Sequence, residues 1–347
     1  MPDSRTVPRA EAPGPVTEAD PKVLHLYDAA DVGRTLVKYG RKYGHPWRQF
    51  NRTPPADSGV PVGAAGKTRG LLAGLSWQAG RAAGILRADL LHVHSGSRIG
   101  VVRSRPYKPF VLHFHGTDIR TQYYDPARRP AIQWGADNAA AVLYSTPDLA
   151  EHAQAAHPGS RYLPNPVDVE ELPDWAPVDR PRVIFASRWD GSKGGQAQLE
   201  LARSLLAAVG PGTEVMGLDW GAEAGRAAAL GVQLMPKMAK PDYLRWLAGA
   251  HAVVGQSAGI LAMSELQAIA IGAPVVMQLG AGYYPTPSPV LQADTIDGLA
   301  AQVLAALADP PAVSRALDGR GWINTNHSPE QSVRQLVGVY REVMAGR

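Results

Sequence analysis

Two cations five residues apart, Arg188 and Lys193, flank a small glycine-containing loop in Phe185-Ala-Ser-Arg-Trp-Asp-Gly-Ser-Lys-Gly194. An Arg fork and a Lys point charge on one loop can meet both charged groups of a diphosphate. The loop follows an apolar run and precedes a helical pattern, so helix-start N–H groups, beginning near Gly194, add to the same anion site. Where a diphosphate is the leaving group, charge grows there as the bond breaks. Cations fixed at that point stabilise the transition state more than the ground state. A solvated basic turn has the same composition, and that reading stays open beside the functional one.

A second cluster lies in His113-Phe-His-Gly-Thr-Asp118, again after an apolar run. His115 can orient a hydroxyl. Asp118 either contacts a substrate or caps the next helix, as Asp in a tight turn often does. In the loop Asp28-Ala-Ala-Asp-Val-Gly-Arg34, Gly33 lets the backbone come close to a ligand, and Arg34 can meet an acidic group. Asp28 and Asp31 are a base and a cap, or two turn formers. Asn165 stands in an Asn-Pro turn. His92 and His94 alternate on one strand face; with no third ligand evident, packing or substrate contact is preferred to metal binding.

These residues are positioned by a repeating strand–helix pattern. Strands are predicted at Val23–Tyr27, Leu90–His94, Phe110–Phe114 and Ala141–Ser145, with helices between them. A proline-rich stretch interrupts at 169–181 and reads as a linker. The rhythm then restarts at Arg182–Ala186 and runs to Pro274–Met277. Such alternation builds parallel sheets with helices on both faces, and ligands sit at the carboxyl ends of their strands. The expected architecture is α/β: two Rossmann-like domains, 22–168 and 182–325, with a cleft between them. A leader, 1–21, precedes them and reads as disordered. A last helix, within 326–347, returns toward the first domain.

Composition narrows the chemistry. The chain has 347 residues, 45% of them apolar, and no cysteine, which excludes disulfides, thiolate zinc sites and cysteine nucleophiles. No run approaches the ~18 apolar residues of a membrane span, and the first residues lack a signal-peptide core, so a cytoplasmic location is expected. Between Lys22 and Arg120, 16 Lys and Arg stand against 5 Asp and Glu, a surplus of 16 − 5 = 11; from Glu171 onward the count is 14 against 16. The basic half suits an anionic acceptor or a membrane surface, or is a solvated face. No nucleic-acid-reading motif accompanies it. Gly-x-Gly-x-x-Gly, the phosphate-loop motif, Asp-x-Asp and His-Glu-x-x-His are all absent.

The Arg188–Lys193 loop resembles the Arg-x-x-x-x-Lys-Gly element of family-four retaining glycosyltransferases, which have the GT-B fold. Three other segments resemble that family in the same order: His113–Asp118, Leu163-Pro-Asn-Pro-Val-Asp168, and Gln267-Ala-Ile-Ala-Ile-Gly-Ala-Pro-Val-Val276. Gly44-His45 matches a common pair after the first helix. The family's paired glutamates are absent: their positions are Gly259 and Gln267, with Glu265 two residues before the second. Gln267 can hydrogen-bond a ribose without charge assistance. Pro166 stands where the family has Gly.

The resemblance implies transfer of a sugar, with retention and without metal or other cofactor, from a nucleotide-sugar donor to a hydroxyl acceptor. A UDP-sugar is the default donor. Arg188, Lys193 and His115 are the implied catalytic groups. Gly194, Pro236, Lys237, Gly259, Glu265 and Gln267 join Arg188 and Lys193 on the donor side; Asp31, Gly33, Arg34, Asp118 and Asn165 lie on the acceptor side. A nucleotide-sugar epimerase on the same fold, or a non-catalytic nucleotide-sugar-binding protein, is the alternative.

Overall fold

The computed structural model describes residues 20–54 and 64–346, and of 64–69 the backbone alone. The expected leader therefore lies outside the described residues except for Asp20 and Pro21. The chain divides into two units, Met1–Pro166 with Pro329–Arg347, and Val167–Ser328.

The first unit is built on a six-stranded sheet in the order β2-β1-β3-β4-β5-β6. Its strands are β1 (Val23–Leu26), β2 (Arg48–Phe50), β3 (Leu90–His94), β4 (Phe110–Phe114), β5 (Ala141–Tyr144) and β6 (Arg161–Tyr162), all parallel. Side chains alternate across a strand, and here the two faces differ in kind. Leu24, Leu26, Leu91, Val93, Leu112 and Phe114 share one apolar cluster with Trp77 and Ile85 of the helix α2 (Ala64–Leu86). On the alternate positions stand His25, His92, His94 and His113, all fully buried. Register places His25 opposite His92 and His94 opposite His113.

The helix α1 (Val32–Lys42) and the C-terminal helix Pro329–Ala345 pack together in this unit. Val333, Leu336 and Tyr340 of the latter are fully buried, and burying each such side chain is worth about 1.5–3 kcal/mol. Asp20 fastens the two ends of the unit: its carboxylate accepts from Arg341 Nε at 2.8 Å and meets His45 Nδ1 at 3.1 Å. Gly40 leaves room for Trp47, whose ring would lie 2.2 Å from any Cβ added there.

The second unit carries a five-stranded parallel sheet in the order β11-β10-β7-β8-β9. These are β7 (Arg182–Phe185), β8 (Glu214–Leu218), β9 (Gln233–Met235), β10 (Ala252–Val254) and β11 (Val275–Val276). The stretch 169–181, expected to be a linker, is part of this unit. Trp175 Nε1 donates to the Ala250 carbonyl at 2.8 Å, and Ala176 N to Ala248 O at 3.0 Å. Val169, Leu172 and Trp175 pack on the core of the second unit. Its prolines remove backbone donors, while its apolar side chains still dock. Among the described residues, no helix is long and apolar enough to cross a membrane.

Candidate functional site

In the second unit, β7 ends at Phe185 and the chain loops through Arg188 and Lys193 into the helix Gly195–Ala208. The loop is held from within. Asp190 Oδ1 accepts from Ser192 N at 2.9 Å, and Gly195 N donates to Asp190 O at 2.9 Å. Gly194 has φ +73°, and a Cβ there would meet Ser257 Cβ at 2.7 Å. Only glycine satisfies both demands. Ser257 N in turn donates to Lys193 O at 3.0 Å, so the loop after β10 is tied to the loop after β7.

Arg188 forms an ion pair with Asp190 and donates to Ser192 Oγ at 3.1 Å. Its guanidinium lies 5.6 Å from the ring centre of Trp220, and Lys237 Nζ lies 5.0 Å from the same ring. Two cations thus converge on one half-exposed indole, where ring and charge attract. Lys237, with Pro236 before it, directly follows β9. Arg188, Lys193, Gly194 and Lys237 therefore cluster on segments that leave the carboxyl ends of adjacent parallel strands or lead into the next helix. Trp220 was not singled out from sequence, yet it follows β8 as Arg188 follows β7, and the strand-end rule points to it.

The departures from the paired-glutamate pattern have local causes. Gly259 has φ +75°, its carbonyl accepts from Gly280 N at 2.8 Å, and an added Cβ would lie 3.2 Å from that nitrogen. A glutamate there would need strained backbone. Glu265, expected on the donor side, is fully buried and engaged elsewhere. Its carboxylate accepts from Ala262 N at 3.0 Å, Ser264 Oγ at 3.0 Å and Gln256 N at 3.2 Å. It caps the helix Met263–Ile271 and fixes the loop before it. Gln267 lies buried on that same helix.

In the first unit, a cavity of 250 Å³ opens over the carboxyl ends of β1, β3 and β4, lined among others by Asp28, His94, Arg98, His115, Asp118 and Gln122. Asp118 organises its floor. Its carboxylate accepts from Gly96 N at 2.8 Å, Gly116 N at 2.9 Å, Ile119 N at 3.0 Å and His115 N at 3.1 Å. Of the two readings given for Asp118, these four backbone donors display the loop-shaping one. Gly33 N donates to Asp28 Oδ1 at 2.8 Å, and a Cβ on Gly33 would sit 3.0 Å from His94 Nε2. Glycine is what lets α1 start against His94. Burial pushes the Asp28 carboxyl up, opposed by its backbone hydrogen bonds. Arg34 pairs with Asp31 at 3.4 Å. Asn165 is buried at the end of the unit.

Behind His115 runs a chain of rings. His94 Nδ1 meets His115 Nε2 at 3.0 Å, and His25 Nδ1 meets His94 Nε2 at 3.1 Å. Tyr340 Oη lies 3.4 Å from His25 Nε2 and 2.5 Å from His92 Nδ1; His92 Nε2 then meets His113 Nδ1 at 3.3 Å. A neutral imidazole offers one donor and one acceptor, so tautomers aligned in either direction along the chain fill these junctions, while His113 Nε2 at its end has no partner. Burial holds the rings neutral: His25 falls to about 3, His115 to about 4 against the opposing pull of Asp118, and His92, His94 and His113 lie well below their usual value. Sequence offered His92 and His94 no third ligand; the sheet register and the C-terminal helix supply three more imidazoles and a phenol. Two sets, His25/His92/His94 and His94/His113/His115, have ring nitrogens within 4.8 Å of one another. Three imidazoles suit zinc or a related transition metal. These nitrogens already bond to one another, and no carboxylate joins either set.

A model of Glycosyltransferase Family 4 matches residues 37–171, most of the first unit. No curated protein sequence matches the chain. Among solved structures, HepE of Anabaena, in complex with UDP and glucose, superposes with a TM-score of 0.63 at 14% identity, over 94% of this chain and 100% of that one. TarM of S. aureus, in complex with UDP among other ligands, superposes at 0.58 and 12% identity, over 72% of this chain and 55% of its own. The chain thus spans about half the length of TarM. A candidate UDP-N-acetylglucosamine 2-epimerase of Listeria monocytogenes superposes at 0.57 and 14% identity, over 95% and 98%. The chain has the two-domain GT-B fold, and its first unit is family-four-like.

Proposed function

We propose that the chain is a glycosyltransferase that moves a sugar from a nucleotide-sugar donor, by preference a UDP-sugar, to a hydroxyl acceptor. The observation that carries this reading is the Arg188–Lys193 loop, poised after a parallel strand and at the head of a helix, with Lys237 converging on the same indole. In this proposal the second unit takes the donor. Arg188 and Lys193 face its diphosphate, and the helix start adds the N–H groups of its first turn past Gly195, whose own N–H is taken by Asp190 O. As the glycosidic bond breaks, the growing charge on the leaving phosphate is met by cations already in place. The Asp190 ion pair holds Arg188 in position until the anion competes for it.

The first unit takes the acceptor in the cavity at His115. Kept neutral by burial, His115 can accept from or donate to a sugar or acceptor hydroxyl without carrying charge into the site. Transfer proceeds with retention, by front-face attack, the leaving phosphate taking the acceptor proton. It needs no metal, so activity persists in a chelator.

The test is thermal unfolding with UDP, GDP, ADP and their sugars. A ligand at about 100 times its Kd stabilises the native state by ~2.7 kcal/mol. No rise in Tm with any of them at millimolar concentration removes the donor site. The likeness to the Listeria protein motivates a second reading, epimerisation of the nucleotide sugar. It predicts reversible conversion of the donor with no acceptor present, followed by NMR.

A further inference from the structure

We propose that α2 docks the first unit onto an anionic lipid bilayer. This inference goes beyond the transfer reading and stands or falls separately from it. A surface helix ordinarily sets an apolar stripe against the core and a polar face toward water. α2 departs from this. Its inward side carries Trp77, Arg81 and Ile85 against the sheet, with Arg81 held by the carbonyls of Val101 at 2.8 Å and Ser104 at 3.3 Å. Its outward side carries Leu71, Leu72, Leu75, Ala79 and Leu86, and the four leucines are 65%, 61%, 59% and 65% exposed. At 3.6 residues per turn these fall together on the flank opposite Trp77. A contiguous apolar stripe of this kind marks an interaction site.

Charge selects the occupant. Ala64–Leu86 contains no Asp or Glu. Exposed Arg52 sits beside the helix, its guanidinium 3.6 Å from where a Cβ on Gly80 would lie, and exposed Arg87 follows the last turn. The segment Lys22–Arg120 carries the surplus of 11 cations counted above. A second copy would bring the same sign of charge to this stripe. The stripe is also one helix wide, whereas a stable partner interface buries about 800 Å² on each side. A leaflet rich in anionic headgroups meets both demands, with leucines entering the acyl boundary and arginines staying at the headgroups. A 280 Å³ groove lined by Trp77, Gln78 and Arg81 of α2, beneath the leucine stripe, shares Ser97 and Arg98 with the His115 cavity.

The experiment is co-sedimentation of the full chain with vesicles of phosphatidylcholine alone and of phosphatidylcholine with phosphatidylglycerol. Wild type sediments with the mixed vesicles and is released by high salt, because screening removes the arginine contribution. Leu71→Ser, Leu72→Ser and Leu75→Ser together lower the partition coefficient at least ~100-fold, each buried leucine being worth about tenfold. These positions are exposed, so the melting curve stays put. The chain has no cysteine, so Leu75→Cys carrying an environment-sensitive dye reports α2 alone. Its emission shifts to the blue on mixed vesicles, and the same dye on Arg315→Cys in the second unit does not shift. The inference is overturned if wild type stays in solution, if the triple variant sediments equally, or if the dye at 75 is unmoved while the protein binds. It is also overturned if light scattering shows a dimer that the triple variant dissolves without any lipid binding.

Discussion

The two units carry their candidate groups in opposite environments. In the second, Arg188, Lys193 and Lys237 stand on loops in contact with water, where charge is cheap to keep and ready for an anion. In the first, His115 at the cavity backs onto four fully buried imidazoles and a phenol, where charge is expensive and the rings stay neutral. The second arrangement suits gripping a ligand that arrives charged. The first suits presenting uncharged hydrogen-bonding edges to hydroxyls. The same parallel-sheet architecture serves both because strand ends can feed either a polar loop or a buried ladder.

Acid tests this contrast most strongly. The native histidines sit below the unfolded value of 6.5, so the unfolded chain binds more protons once pH falls under 6.5, and stability drops as pH falls until the folded rings themselves take up protons, His115 near 4 and His25 near 3. Each fully buried ring costs about 1.4 kcal/mol by one unit below 6.5, roughly 6 kcal/mol for His25, His92, His94 and His113 together. Calorimetry between pH 8 and pH 5 should show a steep fall in Tm. A flat profile would mean the rings are already charged or solvated.

Next in size are the loop cations. Arg188→Ala and Lys193→Ala should each lower kcat by about 10²–10³, the loss typical of removing one preorganised stabiliser of developing charge. Both residues are surface-bound, so Tm should move little; unchanged kcat with either would end the clamp role. Tyr340→Phe leaves His92 and His25 facing a carbon, and should destabilise the first unit by about 1–3 kcal/mol in urea melts. The smallest effect is expected from Trp220→Ala. It removes the indole shared by Arg188 and Lys237, worth about 0.5–2 kcal/mol, and should raise the donor KM several-fold with kcat near wild type.

Much of this was legible in one dimension. The apolar runs at β1, β3, β4 and β7 announced parallel sheets, and the place of Arg188 and Lys193 between a strand and a helix could be read from the pattern alone, though not whether they meet a ligand or only water. Place was easier to read than role. Of the two readings open for Asp118, substrate contact or cap, and for Glu265 as a stand-in on the donor side, the geometry shows the structural one: each carboxylate accepts from backbone donors that no sequence pattern displays. The prolines of 169–181 suggested a linker, whereas in the structure Trp175 docks on the second unit.

The sequence by itself determined the strand–helix rhythm, the basic loop and the alternation of histidines, since these depend on residue type and local spacing. The tertiary structure alone decided that His25, from the first strand, and Tyr340, from the last helix, close the histidine ladder across separations of 69 and 248 residues. It also decided that α2 turns its leucines outward. Both follow from which faces the sheet buries, and burial is a property of the packed chain rather than of any segment.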